Sequence, residues 1–159
     1  MYLHESIKQN SNRYLCFAVG NERFALHVAI VTGILEMQQI TTVPNCPSYM
    51  NGIINLKGTL LPILDLRKFL GVDDNQITAN TCILVLDIVR DGELTLAGLL
   101  VDSVTEVFEL LPHEILPPPS MSNNTSVSGI AKIPDSFVLL LDVTSLFGNQ
   151  QNRLIGLAC

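Results

Sequence analysis

Apolar and polar residues alternate in short runs along this chain, and turn residues separate the runs at intervals of roughly 8–12 residues. Tyr14 to Val19 reads as a strand, Gly20-Asn21-Glu22 as a turn, and Phe24 to Leu26 as the returning strand. Thr81 to Val89 and Leu94 to Leu100 repeat that arrangement around Arg90-Asp91-Gly92-Glu93. An Asp-Gly pair between two apolar runs signals a hairpin, because glycine accepts positive φ. The segments after the two hairpins, Val28 to Val31 and Val101 to Val104, each predict one helical turn. Strands over Thr32 to Met37 and Thr105 to Leu110 follow. Pro44, Pro47 and Pro117 to Pro119 then interrupt the pattern, and Ser120 to Ser128 predicts a loop. Two further strands come next, Ile53 to Leu56 and Thr59 to Leu64, turned by Lys57-Gly58. In the second half Pro134-Asp135 takes that turn position. Asp65 to Gly71 and Asp142 to Gly148 each read as a short helix with an Asp cap and a Gly past its end.

The parallel between the halves extends to single residues. Gly52 to Gly71 aligns without a gap on Gly129 to Gly148 at an offset of 77. Leu26 to Met37 aligns on Leu99 to Leu110 at an offset of 73, with five identical places in twelve. Two blocks in the same order imply an internally duplicated fold, with about five short strands in each half. Two small antiparallel barrels satisfy that count. A cleft between two such units is a common place for binding.

Composition narrows the classes. The 159 residues suit one domain, or two small units sharing a core. Apolar residues are 48% and charged residues only 15%, against about 25% for an ordinary globular chain. A tight β core under a Ser/Thr/Asn surface accounts for this, and so does apolar surface left for partners. Net charge is −6 and the nine Lys and Arg are scattered, which argues against nucleic acid and anionic membranes. Cys16, Cys46, Cys82 and Cys159 form no C-x-x-C pair, and residues 1–13 have no apolar signal core. The expectation is a reduced cytoplasmic protein with buried free thiols.

Catalysis finds little support. His4, His27 and His113 are far apart, and His113-Glu114 lacks the second His of a zinc-protease helix. Asp73-Asp74-Asn75 lacks the Gly and the closing Glu of a calcium loop and reads as a polar turn. Asp65 and Asp142 recur at matched places, which favours helix capping. Arg67, two residues after Asp65, suits a local ion pair or helix support. Gly52 and Gly58 supply a bend and a turn. The missing side chain of Gly52 also leaves room for the close approach of a partner helix. No cofactor, metal or catalytic residue is expected.

From Phe17 to Leu70 the chain resembles the CheW domain, the coupling module of bacterial chemotaxis. The resemblance runs through Phe17-x-x-Gly20 to Phe24-Ala25-Leu26, through Val31-Thr32-Gly33-Ile34, and through the Pro44 link to Gly52-x-x-Asn55-Leu56-Lys57-Gly58 and Asp65-Leu66-Arg67. The second half fits through Gly98 to Glu106, the Pro117 link, and Gly129 to Val143. Two places depart from the family pattern. Its acid in V-x-E-I is Gly33 here, although Glu106 holds the matching place in the second half, and its Arg in N-L-R-G is Lys57. A Lys keeps the charge and loses the two-pronged donor geometry.

The resemblance implies an all-β fold of two SH3-like five-stranded barrels on a shared core. They would span residues 13–148, with possible strand exchange between the halves and tails at 1–12 and 149–159. It further implies a cytoplasmic adaptor at membrane-associated receptor arrays, bridging chemoreceptor tips to the regulatory domain of a histidine kinase. A receptor helical hairpin would lie in the groove between the barrels, marked by Val31, Gly33, Gly52, Asn55, Lys57 and Gly58. Kinase contacts would use the barrel ends. The alternatives are a coupling protein of a twitching or gliding pathway, or a small-barrel ligand binder.

Overall fold

The computed structural model describes residues 12–72, 76–118 and 126–148. The expected polar turn at Asp73-Asp74-Asn75, both tails apart from Asn12, and most of the predicted loop at 120–128 lie outside them.

Strand formation follows the period-2 pattern. In order these are β1 (Arg13–Val19), β2 (Glu22–His27), β3 (Val31–Glu36), β4 (Met50–Leu56), β5 (Thr59–Asp65), β6 (Cys82–Arg90), β7 (Glu93–Val101), β8 (Ser103–Glu109), β9 (Ile115–Leu116), β10 (Val127–Ile133) and β11 (Ser136–Leu141). Two short helices, α1 (Leu66–Phe69) and α2 (Val143–Gly148), follow β5 and β11. One sheet has the order β8-β1-β2-β11-β10-β9 and the other β3-β6-β7-β5-β4.

Each sheet bends toward a ring. Beyond β3, Thr41 pairs with Ile53 of β4 through two N–H to O bonds of 2.9 Å. Beyond β8, β9 pairs with β10, Leu116 opposite Ile130. The rings correspond strand for strand: β3-β6-β7-β5-β4 repeats β8-β1-β2-β11-β10. Each ring therefore combines a hairpin from one sequence repeat with strands from the other, three (β3, β4, β5) in the five-stranded sheet and four (β8 to β11) in the six-stranded one. The two meet at β5·β7 and β2·β11, and these ladders are parallel. The barrels are thus antiparallel apart from one ladder each.

Alternation explains the high apolar content. Along β6, Cys82, Leu84, Leu86 and Ile88 enter a core shared by both sheets, while Ile83 and Val85 enter a smaller core inside their own ring. β1 does the same, with Leu15, Phe17 and Val19 in the shared core and Cys16 in the other ring's interior. Central strands buried on both faces read as continuous apolar runs. Cys16 and Cys82 are free and buried as expected, whereas Cys46 is disulfide-bonded, so the expectation of free thiols fails there.

Turn chemistry matches the sequence. Lys57-Gly58 and Asp91-Gly92 both adopt positive φ, at 52° and 88° and at 52° and 81°. This is the twist that two-residue hairpins require. The helical turn expected at Val28 to Val31 is a 3-10 turn over Val28–Ile30. Its predicted counterpart at Val101 to Val104 is absent, since only Asp102 separates β7 from β8. There the Asp102 N–H bonds Ala18 O at 3.1 Å, and its carboxylate accepts from Gly20 N at 2.7 Å. These long-range bonds replace the local ones a helical turn would make. The predicted loop also ends early, because Val127 and Ser128 already belong to β10.

Candidate functional site

The candidate residues fall into two groups on the second ring. Val31 and Gly33 lie on β3, opposite Leu86 and Val85 of β6, with a bulge between them. Asn55, Lys57 and Gly58 make the β4–β5 turn, where Asn55 Oδ1 accepts from Gly58 N at 2.8 Å. Lys57 is exposed at the tip. β3 and β4 occupy opposite ends of the sheet order.

The glycines differ sharply. A Cβ on Gly33 would meet no atom within 4 Å, so that face of β3 is open. A Cβ on Gly52 would lie 2.1 Å from Thr41 O. The room left at Gly52 is therefore filled by this chain's own Thr41 bridge and is not available to a partner. Gly129 repeats the arrangement against Ile115 and Leu116.

Asp65 and Arg67 form the most organised polar cluster. Asp65 Oδ1 accepts from the backbone N–H of Arg67 and from its Nε, and Oδ2 accepts from Nη2, all at 3.0 Å. Two of those bonds make the two-pronged carboxylate–guanidinium pair. The third caps α1. Arg67 Nη1 also donates to Gln76 O at 3.1 Å and stands 3.6 Å from Asp102 Oδ1. Hydrogen bonding and charge from Asp65 raise the guanidinium pKa, while burial opposes them. Asp142 caps α2 more simply, accepting from Ser145 N at 3.3 Å and from Ser145 Oγ at 2.9 Å. Among the described residues no buried side-chain N or O lacks a partner. No group of three or more His, Cys, Asp or Glu among them could hold a metal ion.

Composition left room for exposed apolar surface, and which side chains make it is what sequence reasoning missed. Leu60 and Phe137 are 46% and 59% exposed, and they stand 77 places apart. Ile34 and Val107 are 51% and 48% exposed, and they stand 73 places apart. These are the two repeat offsets. Each ring therefore shows an equivalent pair of apolar side chains to solvent. Alignment of the repeats could have found these pairs, because apolar residues recur there at outward-facing places. A second exposed feature lies beside Pro134, where a groove of about 440 Å³ is lined by Arg23, Glu106, Phe108 and Lys132.

Two equivalent β rings on one core, with matched apolar side chains outside and a satisfied polar interior, define a protein-binding scaffold. Residues 13–151 match the family model described as the CheW-like domain. The chain is 30% identical over 155 residues to the probable chemotaxis protein CheW of Rhizobium etli, covering 96% of this chain and 97% of that one. It is 30% identical over 145 residues to the chemotaxis protein CheW of Helicobacter pylori, covering 87% and 86%. The crystal structure of the scaffolding protein TtCheW from Thermoanaerobacter tengcongensis superposes with a TM-score of 0.79 at 30% identity, covering 89% of this chain and 95% of that one. The chain belongs to the CheW-like family, the adaptor proteins of bacterial chemotaxis signalling. Its two rings are SH3-like barrels. Among the described residues no helix is long and apolar enough to cross a membrane.

Proposed function

We propose that this chain is a non-enzymatic coupling protein that joins the cytoplasmic tips of chemoreceptors to the regulatory domain of a CheA-type histidine kinase, working at membrane-associated receptor arrays. The observation that carries this reading is the family match over residues 13–151 together with an equivalent pair of exposed apolar side chains on each ring. A bridging protein needs two separate contact surfaces, and the duplicated rings provide equivalent places for them. The receptor hairpin would approach the second ring along β3 and the β4–β5 turn, through Val31, Gly33, Asn55, Lys57 and Gly58. Gly52 contributes to that ring by letting Thr41 close it.

The test is a titration of the protein against the kinase regulatory domain, followed by addition of a receptor tip fragment. Saturable binding of both is expected. Lys57→Glu should weaken receptor binding by about tenfold, or about 1.4 kcal/mol, and leave kinase binding unchanged. A folded protein that binds neither partner would remove the proposal. Kinase binding alone would confine the chain to one contact.

A further inference from the structure

Between strands, the described chain crosses from one ring to the other twice, at Val28–Ile30 between β2 and β3 and at Asp102 between β7 and β8. The two crossings are held differently. At the first, His27 Nδ1 accepts from Ala29 N at 3.0 Å, a local bond. At the second, Asp102 accepts from Gly20 in the β1–β2 turn of one ring and faces Arg67, from α1 of the other, at 3.6 Å. Arg67 in turn holds Asp65 and Gln76 O. One guanidinium thus ties together α1, the segment before β6 and the crossing. The repeat does not reproduce the contact. Ala29 stands at the place matching Asp102, and Thr144 at the place matching Arg67.

The energetics separate the two parts of this cluster. Asp65 and Arg67 have side chains only 1% and 3% exposed, so their pair is a buried structural unit. Asp102 is 30% exposed and its ion pair is longer, at 3.6 Å, so water screens it more than the buried pair. Such a contact adds little stability. It adds direction, because a charged contact between fixed groups of the two rings has a preferred geometry that acts on top of the packing of the shared core. We propose that Asp102 is a positioning residue whose contact with Arg67 selects one setting of the two rings against each other. The setting decides where Leu60 on one ring stands relative to Phe137 on the other. This holds whichever partners those residues meet.

The full chain carrying Asp102→Asn tests it, since Asn keeps the shape and the acceptor for Gly20 but removes the charge. Two readouts are needed: the thermal midpoint, and the mutual orientation of the rings from backbone residual dipolar couplings. The expected result is a midpoint within about 4 °C of the parent, with couplings from the two rings that no longer fit one alignment tensor in the parent orientation. An unchanged common orientation would overturn the proposal. So would a large loss of midpoint, or failure to fold, since either makes the contact a stabiliser. The unmutated protein gives a second measurement. In about 1 M NaCl, where the screening length is about 3 Å, the ring orientation should shift in the same sense. No shift would also overturn the proposal.

Discussion

At the scale of single residues, burial without charge leaves a signature in pH. Burial pushes the thiols of Cys16 and Cys82 above their ordinary value of 9.0. It pushes Tyr14 and Tyr49 above 10.0. In each case the native state keeps a proton that the unfolded chain gives up. Unfolding therefore releases protons at alkaline pH, and stability falls as pH rises. The contribution of these groups is fully present below 9.0 and is lost progressively above it, first for the thiols and then for the tyrosines. Urea midpoints measured between neutrality and strongly alkaline pH should hold level up to the thiol value and then decline. A midpoint that stays level past the tyrosine value would show that these four groups ionise as readily in the native state as in the unfolded one.

At the scale of elements, ring closure depends on a backbone approach that no side chain can share. Gly52 has φ +144° and sits where a Cβ would meet the Thr41 carbonyl. Gly52→Ala combines backbone strain with an overpacked strand pair and should cost about 2–5 kcal/mol. Gly33→Glu, on β3 beside a bulge with open space around it, should change stability by no more than about 0.5 kcal/mol. Chemical denaturation of the two variants separates these outcomes, and equal losses would contradict the packing described at both places. Strands and turns were legible in the sequence because they rest on local rules: period 2, positive-φ turn pairs and Asp caps. The neighbour of Gly52 was not legible, since it comes from Thr41, eleven places earlier in the chain. Nor was the role of Asp102, whose bonds to Gly20 and Ala18 span more than eighty residues and displaced the expected helical turn. The candidate surface was legible only as far as the family motif reaches. The apolar pairs Leu60–Phe137 and Ile34–Val107 became visible once exposure could be set beside the repeat offsets.

At the scale of the whole molecule, the sequence repeat and the structural unit are out of phase. The repeats begin at β1 and β6, yet the second ring is built from β3 through β7 without interruption. The first ring is split around it, with β1 and β2 on one side and β8 through β11 on the other. A fragment of residues 28–101 therefore contains every strand of one ring, and strand pairing alone would let it fold. The shared core argues otherwise. Leu64, Leu84, Leu86 and Leu99 of this ring pack in one cluster with Phe17, Phe24 and Leu26 of the other, and with Leu146 and Phe147 of α2. Removing the first ring and α2 would turn that whole face to water. Each large side chain uncovered forfeits about 1.5–3 kcal/mol, and a handful of them equals the total stability of an ordinary small domain. The isolated fragment should therefore be unfolded or aggregated by circular dichroism and gel filtration. Co-expression with the flanking segments should restore a folded complex. A monomeric, cooperatively melting fragment would mean that the inner cluster around Ile54, Leu61 and Ile83 suffices for one ring, and that the shared core serves to join the rings without being needed to fold them.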